Sequence, residues 1–246
     1  MNKIKAALAA AIWLGGGIAD QEMAQQVGEL VVTAEKRSNV GGMPIGMAGG
    51  PPHVVLLHRA DNLVVEVQVD CDTRDEKDRL AEMKSTLRNM IGAAAASSGQ
   101  IELGVESEGV ILPLKPEALD TMLSPGQRDD TTTTTIVVKT HVSQADSFEE
   151  ATARIVAFVQ KTQVVGRTQL TRGEDWQLTL ISPGQYHQQI VAAIAQDAND
   201  TVKAVGPGYG FELNDLDRPV AWSRAGPLDL ALYIPYSMKI EPLPGR

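Results

Sequence analysis

Four histidines, one cysteine and several acidic runs are the residues of this 246-residue chain whose chemistry suits catalysis or metal binding. His53, His58, His141 and His187 include no pair at the three- or four-residue spacing that brings two imidazoles to one metal on a helix. His53 and His58 lie an odd number of residues apart in a predicted strand, and so face opposite sides. Cys71 has no second cysteine to pair with and no nucleophile signature around it; a position at a strand end fits packing. The G-x-S-x-G elbow of serine hydrolases is absent. "GPGYG", residues 206–210, resembles a phosphate loop but follows a predicted helix instead of preceding one, so it reads as a helix stop and turn.

The acidic runs have equally plain readings. "DTRDEKD" (72–78) opens a helix, where negative charge offsets the positive end of the dipole. "RDD" (128–130) and "NDLD" (214–217) have turn composition. None spaces its acids as a calcium loop does, at alternating positions with a glycine and a distant Glu. The residues therefore point to a protein with no catalytic site, no metal and no cofactor.

Composition narrows the partners. Hydrophobic residues at 43% and charged residues at 22% describe a globular chain long enough to bury a core, while aromatics at 4% are too few for the girdles of a membrane barrel. The formal net charge is -9. Without Lys3 and Lys5 it becomes -11 (20 basic residues against 31 acidic), which disfavours nucleic acid as a partner.

Those two lysines belong to an expected export signal over residues 1–19. "MNKIK" is followed by the apolar run "AALAAAIWLGGGIA", with Gly17 and Ala19 as small residues at the cleavage site. The apolar run, about fourteen residues, falls short of the roughly 20 that a membrane span needs. Residues 20–52 form an N-terminal segment ending in "SNVGGMPIGMAGGPP" (38–52), whose glycines and prolines make a flexible linker. Before that linker, "GELVVTAEKR" (28–37) and the later Pro-Ile pair of "MPIG" resemble the segment that precedes the plug of an outer-membrane receptor driven by TonB.

The remainder, residues 53–246, alternates strand and helix patterns. "HVVLLHR" and "LVVEVQVD" read as strands, the second with Val65, Val67 and Val69 on one face. A helix follows over 72–98, with Leu80, Met83, Leu87, Ile91 and Ala94 as its stripe and Thr73 with Glu76 as a capping box. "QIELGVES", "VILPL" and "TTTTTIVVKTHVS" are strands, the threonine run because branched β-carbons suit a pleated surface. "SFEEATARIVAFVQKT" is a second helix opened by Ser147 and Glu150, burying Ala151, Ile155, Phe158 and Val159. After the strands "VVGRTQL" and "DWQLTLIS", Ser182-Pro183 starts a third helix with Tyr186, Ile190, Ile194, Ala198 and Val202 on one side. "GYGFELNDL", "RPVAWS" and a long "LDLALYIPYSMKIEP" return to strand. The expected class is α+β, with antiparallel or mixed sheets covered by three amphipathic helices.

Three stretches carry a family likeness: "ADNLVVEVQVDCDTRDEKDRLAEMKSTLRNMI", "TTTTIVVKTHVSQADSFEEATARIVAFV", and "QIVAAIAQDANDTVKAVGPGYG" with "LALYIPYSMKIEP" as a closing strand. Over residues 54–242 this succession resembles the SIMPL-domain family of bacterial periplasmic immunogenic proteins. The resemblance implies a non-enzymatic protein of the periplasm, in places associated with the outer membrane, that forms homo-oligomers and acts around envelope stress; it supplies no catalytic residues.

Interaction residues then come from two places. Leu30, Val31, Val32 and Thr33 can add as a strand to a partner's sheet, with TonB as the candidate partner. Leu230, Leu232, Tyr233 and Tyr236 lie on the long apolar closing strand, which something must cover. Trp176 and Trp222, near strand ends, suit packing or a subunit contact. A hydrolase is the third reading, and no motif supports it.

Overall fold

The computed structural model describes residues 29–32, 53–107 and 109–243. The expected export signal, the Gly/Pro linker and Thr33 lie outside these. The fold is α+β, and every strand pair in it is antiparallel.

Two ten-residue strands form the spine, β3 (Asn62–Cys71) and β7 (Thr132–His141), paired in register from Asn62 opposite His141 to Cys71 opposite Thr132. Alternation decides their faces. Leu63, Val65, Val67, Val69 and Cys71 are buried on one face of β3, while Glu66 and Gln68 on the other reach solvent. The threonine run does form strand: Thr132 and Thr134 are buried in it, and Thr134 Oγ1 donates to the Met122 carbonyl at 2.9 Å.

Around this spine the main sheet adds β4 (Ile101–Ser107), β5 (Val110–Pro113), β6 (Ser124–Pro125), β8 (Thr168–Arg172) and β9 (Gln177–Ile181). Its last member is β1 (Glu29–Val32), which pairs with β5 on one side and β9 on the other. Pairing then runs β3–β7–β4–β5–β1–β9 and back to β3, so six strands form a closed circuit. Val64, Ile111 and Val137 make a small core of their own on the face of β3 and β7 opposite the large clusters. Gly104 of β4 makes room for it: a Cβ there would stand 2.4 Å from Ile111 Cγ2 and 2.9 Å from the Leu112 carbonyl oxygen.

Among the described residues there are three α-helices, α1 (Glu76–Ala96), α2 (Phe148–Lys161) and α3 (His187–Val205). Met83, Leu87, Met90 and Ala94 of α1 share one core with β3, β4, β7 and Ile155 of α2. Ile190 and Ile194 of α3 share a second with Leu178 and Leu180 of β9 and with a three-stranded sheet. That sheet is β11 (Ala221–Arg224), β12 (Asp229–Tyr233) and β2 (Leu56–Arg59), with β12 in the middle. A separate two-stranded ribbon joins β10 (Tyr209–Asn214) to β13 (Ser237–Pro242).

Several boundaries differ from the sequence expectation, each for a local reason. The cap of α1 is Asp75, whose carboxylate accepts from the Asp78 amide at 3.0 Å; Thr73 and Glu76 form no box, because the Thr73 hydroxyl is turned to Glu82 at 2.6 Å. The buried stripe passes through Met90 while Ile91 is only partly covered. For α2 the box forms as expected, Ser147 accepting from the Glu150 amide at 3.1 Å and Glu150 accepting from Ser147 at 2.8 Å. The closing segment is two strands in two different sheets, since Pro235 lacks an amide to continue the ladder and biases Ile234 before it. β2 starts at Leu56, opposite Leu232, because its partner strand ends at Tyr233; His53 therefore precedes the strand. β8 starts at Thr168, after a turn at Gly166 with φ +59°.

Candidate functional site

The spine ends in a polar knot built from the first turns after β3. Cys71 is buried, and its thiol lies 3.3 Å from Glu82 Oε2 on α1. The same oxygen accepts from the Thr73 hydroxyl and, at 2.9 Å, from the Arg167 amide. The Thr73 hydroxyl first, then the Arg167 amide, hold the Glu82 carboxyl below its usual range. Gly166 is required beside it, because a Cβ there would fall 2.0 Å from the Glu82 carboxyl carbon. Asp72 takes a two-pronged grip from Arg167, at 2.6 and 2.9 Å, which lowers its own carboxyl.

Arg79 of α1 is buried beneath the knot, and its partners among the described residues include no carboxylate. Its Nε donates to Thr132 Oγ1 at 2.8 Å and its Nη1 to the Thr73 carbonyl at 2.8 Å. Glu82 and Arg79 thus tie α1 to the ends of β3 and β7 and to the turn before β8, while Arg167 ties that turn to Asp72. Cys71, buried in the native chain, will resist a soluble thiol reagent such as Ellman's and react fully once the chain is unfolded in guanidinium. Rapid native labelling would contradict that burial.

A second knot joins α2 to the strand ends. Arg154 donates to both carboxylate oxygens of Asp146, at 2.7 and 3.1 Å, to the His141 carbonyl at 2.9 Å and to Thr140 Oγ1 at 3.1 Å. The Ser143 amide adds a bond to Asp146 at 2.7 Å, and Arg59 of β2 donates to the Asp146 and Ser143 carbonyls. Arg154 above all drives the Asp146 carboxyl far below the carboxylate range.

The histidines go to different partners. His58 Nε2 shares a 2.7 Å hydrogen bond with the Tyr186 hydroxyl, and its buried Nδ1 meets no partner among the described residues. Burial, with the nearby Asp61 charge, raises the Tyr186 hydroxyl above its usual value. His53 lies 3.0 Å from Asp197 of α3. Trp176 packs edge-on to Phe148, with the Arg172 guanidinium 5.1 Å from its ring. Among the described residues no group of His, Cys, Asp and Glu is gathered closely enough to hold a metal ion, and no helix is long and apolar enough to cross a membrane.

The interaction residues separate into two outcomes. Leu30, Val31 and Val32 lie in β1 and pair with β9, and Leu30 pairs with β5 as well. Leu230 and Leu232 are fully buried in the core shared with α3 and β9, so the apolar part of the closing segment is covered by the chain itself. Tyr233 and Tyr236 are half-buried, Tyr236 against the same core. Exposed apolar side chains are spread over several elements, among them Leu57 (69%) on β2, Leu112 (41%) on β5, Ile181 (39%) on β9, and Tyr209 (41%), Phe211 (39%) and Leu243 (54%) at the ribbon.

The fold and its knots define an α+β protein built on a closed antiparallel circuit. Comparison with family models, with curated proteins and with solved structures finds no match.

Proposed function

We propose that the chain is a non-enzymatic, exported protein of the bacterial envelope that assembles with copies of itself, as its resemblance to SIMPL-domain proteins implies, with α1–α3 covering the sheets as in that family. The observation that carries the assembly is the β10–β13 ribbon. Its register places Tyr209, Phe211 and Leu213 beside Pro242, Ile240 and Met238 on one face, and Glu212, Lys239 and Glu241 on the other. Only Leu213 reaches the core shared with α3, which leaves Tyr209 and Phe211 in solvent. A two-stranded ribbon is marginal by itself, and an apolar face of this kind marks a contact surface.

The test is the mass of the mature protein by size-exclusion chromatography with light scattering. A multiple of the subunit mass is expected, and Phe211→Asp is expected to reduce it while leaving the thermal midpoint within a few degrees. A monomer at micromolar concentration contradicts the proposal. Envelope-stress association and capture of residues 28–37 by TonB belong to the same reading; a pull-down with TonB's periplasmic domain, lost on deleting residues 28–37, tests the latter.

A further inference from the structure

The backbone of β1 fills a slot whose two walls are the edges of β5 and β9. Glu29 stands opposite both Ile111 and Ile181, and Leu30 opposite both Val110 and Leu180; Val31 and Val32 continue along β9 opposite Thr179 and Leu178. Toward α3 the β9 wall presents the buried Leu178 and Leu180; on the other face Ile111 is buried with Val64 and Val137, and the buried Thr179 stands opposite Val31. An occupant must therefore be extended, about one strand wide, and aliphatic at the positions opposite Leu178 and Leu180, where the sequence has Val32 and Leu30.

Among the described residues β1 also has no short connection to another strand of the circuit. β5 forms a hairpin with β4, and β9 continues within two residues into the turn that leads to α3. The next described strand after β1 is β2, which belongs to a different sheet. Among the described pairings, departure of β1 breaks only those with β5 and β9.

We propose that the β5–β9 slot is a binding site for a short, extended, aliphatic peptide, and that residues 29–32 are its built-in and releasable occupant. Addition of a strand to another protein's sheet needs an open backbone edge, and in the slot both edges are used at Glu29 and Leu30 and the β9 edge at Val31 and Val32. Slot occupancy and capture of residues 29–30 by any other sheet exclude one another.

The experiment uses the full chain carrying Leu30→Pro, since Leu30 is paired on both sides and proline, lacking the amide, does not sit in such a position. A fluorescent peptide of residues 27–37 (VGELVVTAEKR) is titrated against it and against the unmodified chain by anisotropy. Binding to the variant at least tenfold tighter than to the unmodified chain, with no binding of a peptide that itself carries the proline, is the expected result. Equal binding to both chains, or no binding to a variant whose far-UV circular dichroism matches the unmodified chain, overturns the proposal.

Should L30P fail to fold, hydrogen exchange on the unmodified chain decides. The amides of residues 30–32 are expected to be protected, yet to exchange at least tenfold faster than those of residues 178–180. Absence of protection at 30–32, or exchange as slow as in β9, overturns it. Neither measurement depends on subunit number, so a monomeric chain would sink the assembly reading and leave the slot standing.

Discussion

Asp146→Ala will lower the unfolding free energy by about 2–3 kcal/mol, the range for charged hydrogen bonds removed from a largely buried partner. The Asp146 side chain is 15% exposed and that of Arg154 28%, so water replaces little of what is lost. The change strips Arg154 of the carboxylate it grips through both oxygens and the Ser143 amide of its acceptor, loosening α2, the end of β7 and the loop between them together. Urea unfolding at pH 6 measures it. The pH dependence has a definite sign. Because folding depresses the Asp146 carboxyl, its contribution is complete above the unfolded carboxylate value and fades as pH falls below it. With an unfolded value of about 3.9, the gap between native and variant chains will narrow by about 1 kcal/mol at pH 3. A gap that widens in acid would show that the Arg154 pair is not what Asp146 contributes.

Gly104→Val will cost about 3 kcal/mol or more, the upper part of the range for overpacking a core. The first added carbon already falls 2.4 Å from Ile111 Cγ2, and the Leu112 carbonyl at 2.9 Å is backbone that cannot rotate away. The circuit is small, and Val64 and Val137 occupy the remaining space. Gly104→Ala with Ile111→Ala offers a check, because the second change removes one of the two obstructing atoms. The double variant is expected to be more stable than the sum of the two single costs predicts, a coupling that neighbours in one cavity show. Strict additivity would place the obstruction on the Leu112 backbone alone.

Periodicity was a good guide where one face of an element meets the core and the other meets water. β3, the threonine strand and the box at Ser147 follow from side-chain type and spacing alone. It failed where pairing between distant segments decides. The apolar run of residues 228–242 reads as one strand, yet its two halves answer to different partners on either side of Pro235. Thr73 had the sequence of a cap and serves Glu82 instead, a contact that exists only because α1 lies back over the end of β3. Arg79 gave no signal at all: it sits in a charged run that reads as a solvated first turn, and its burial comes from Thr132, far along the chain. The Asp146–Arg154 pair was equally silent, since its residues lie two helical turns apart and meet through the loop before α2. The ribbon's exposed aromatics, Tyr209 and Phe211, were visible as residues but not as a surface until their register with β13 was known.

The circuit also obeys a rule of parity. Alternating directions close on themselves only when the number of strands is even, and β1 is the sixth. Remove it and β5 and β9, each antiparallel to β1, stand side by side pointing the same way. They cannot zip together in the ladder they left; they would have to form the slanted, slightly weaker parallel one. The breach has a polarity of its own, and the repair that restores the original ladder is a strand running opposite to both rims.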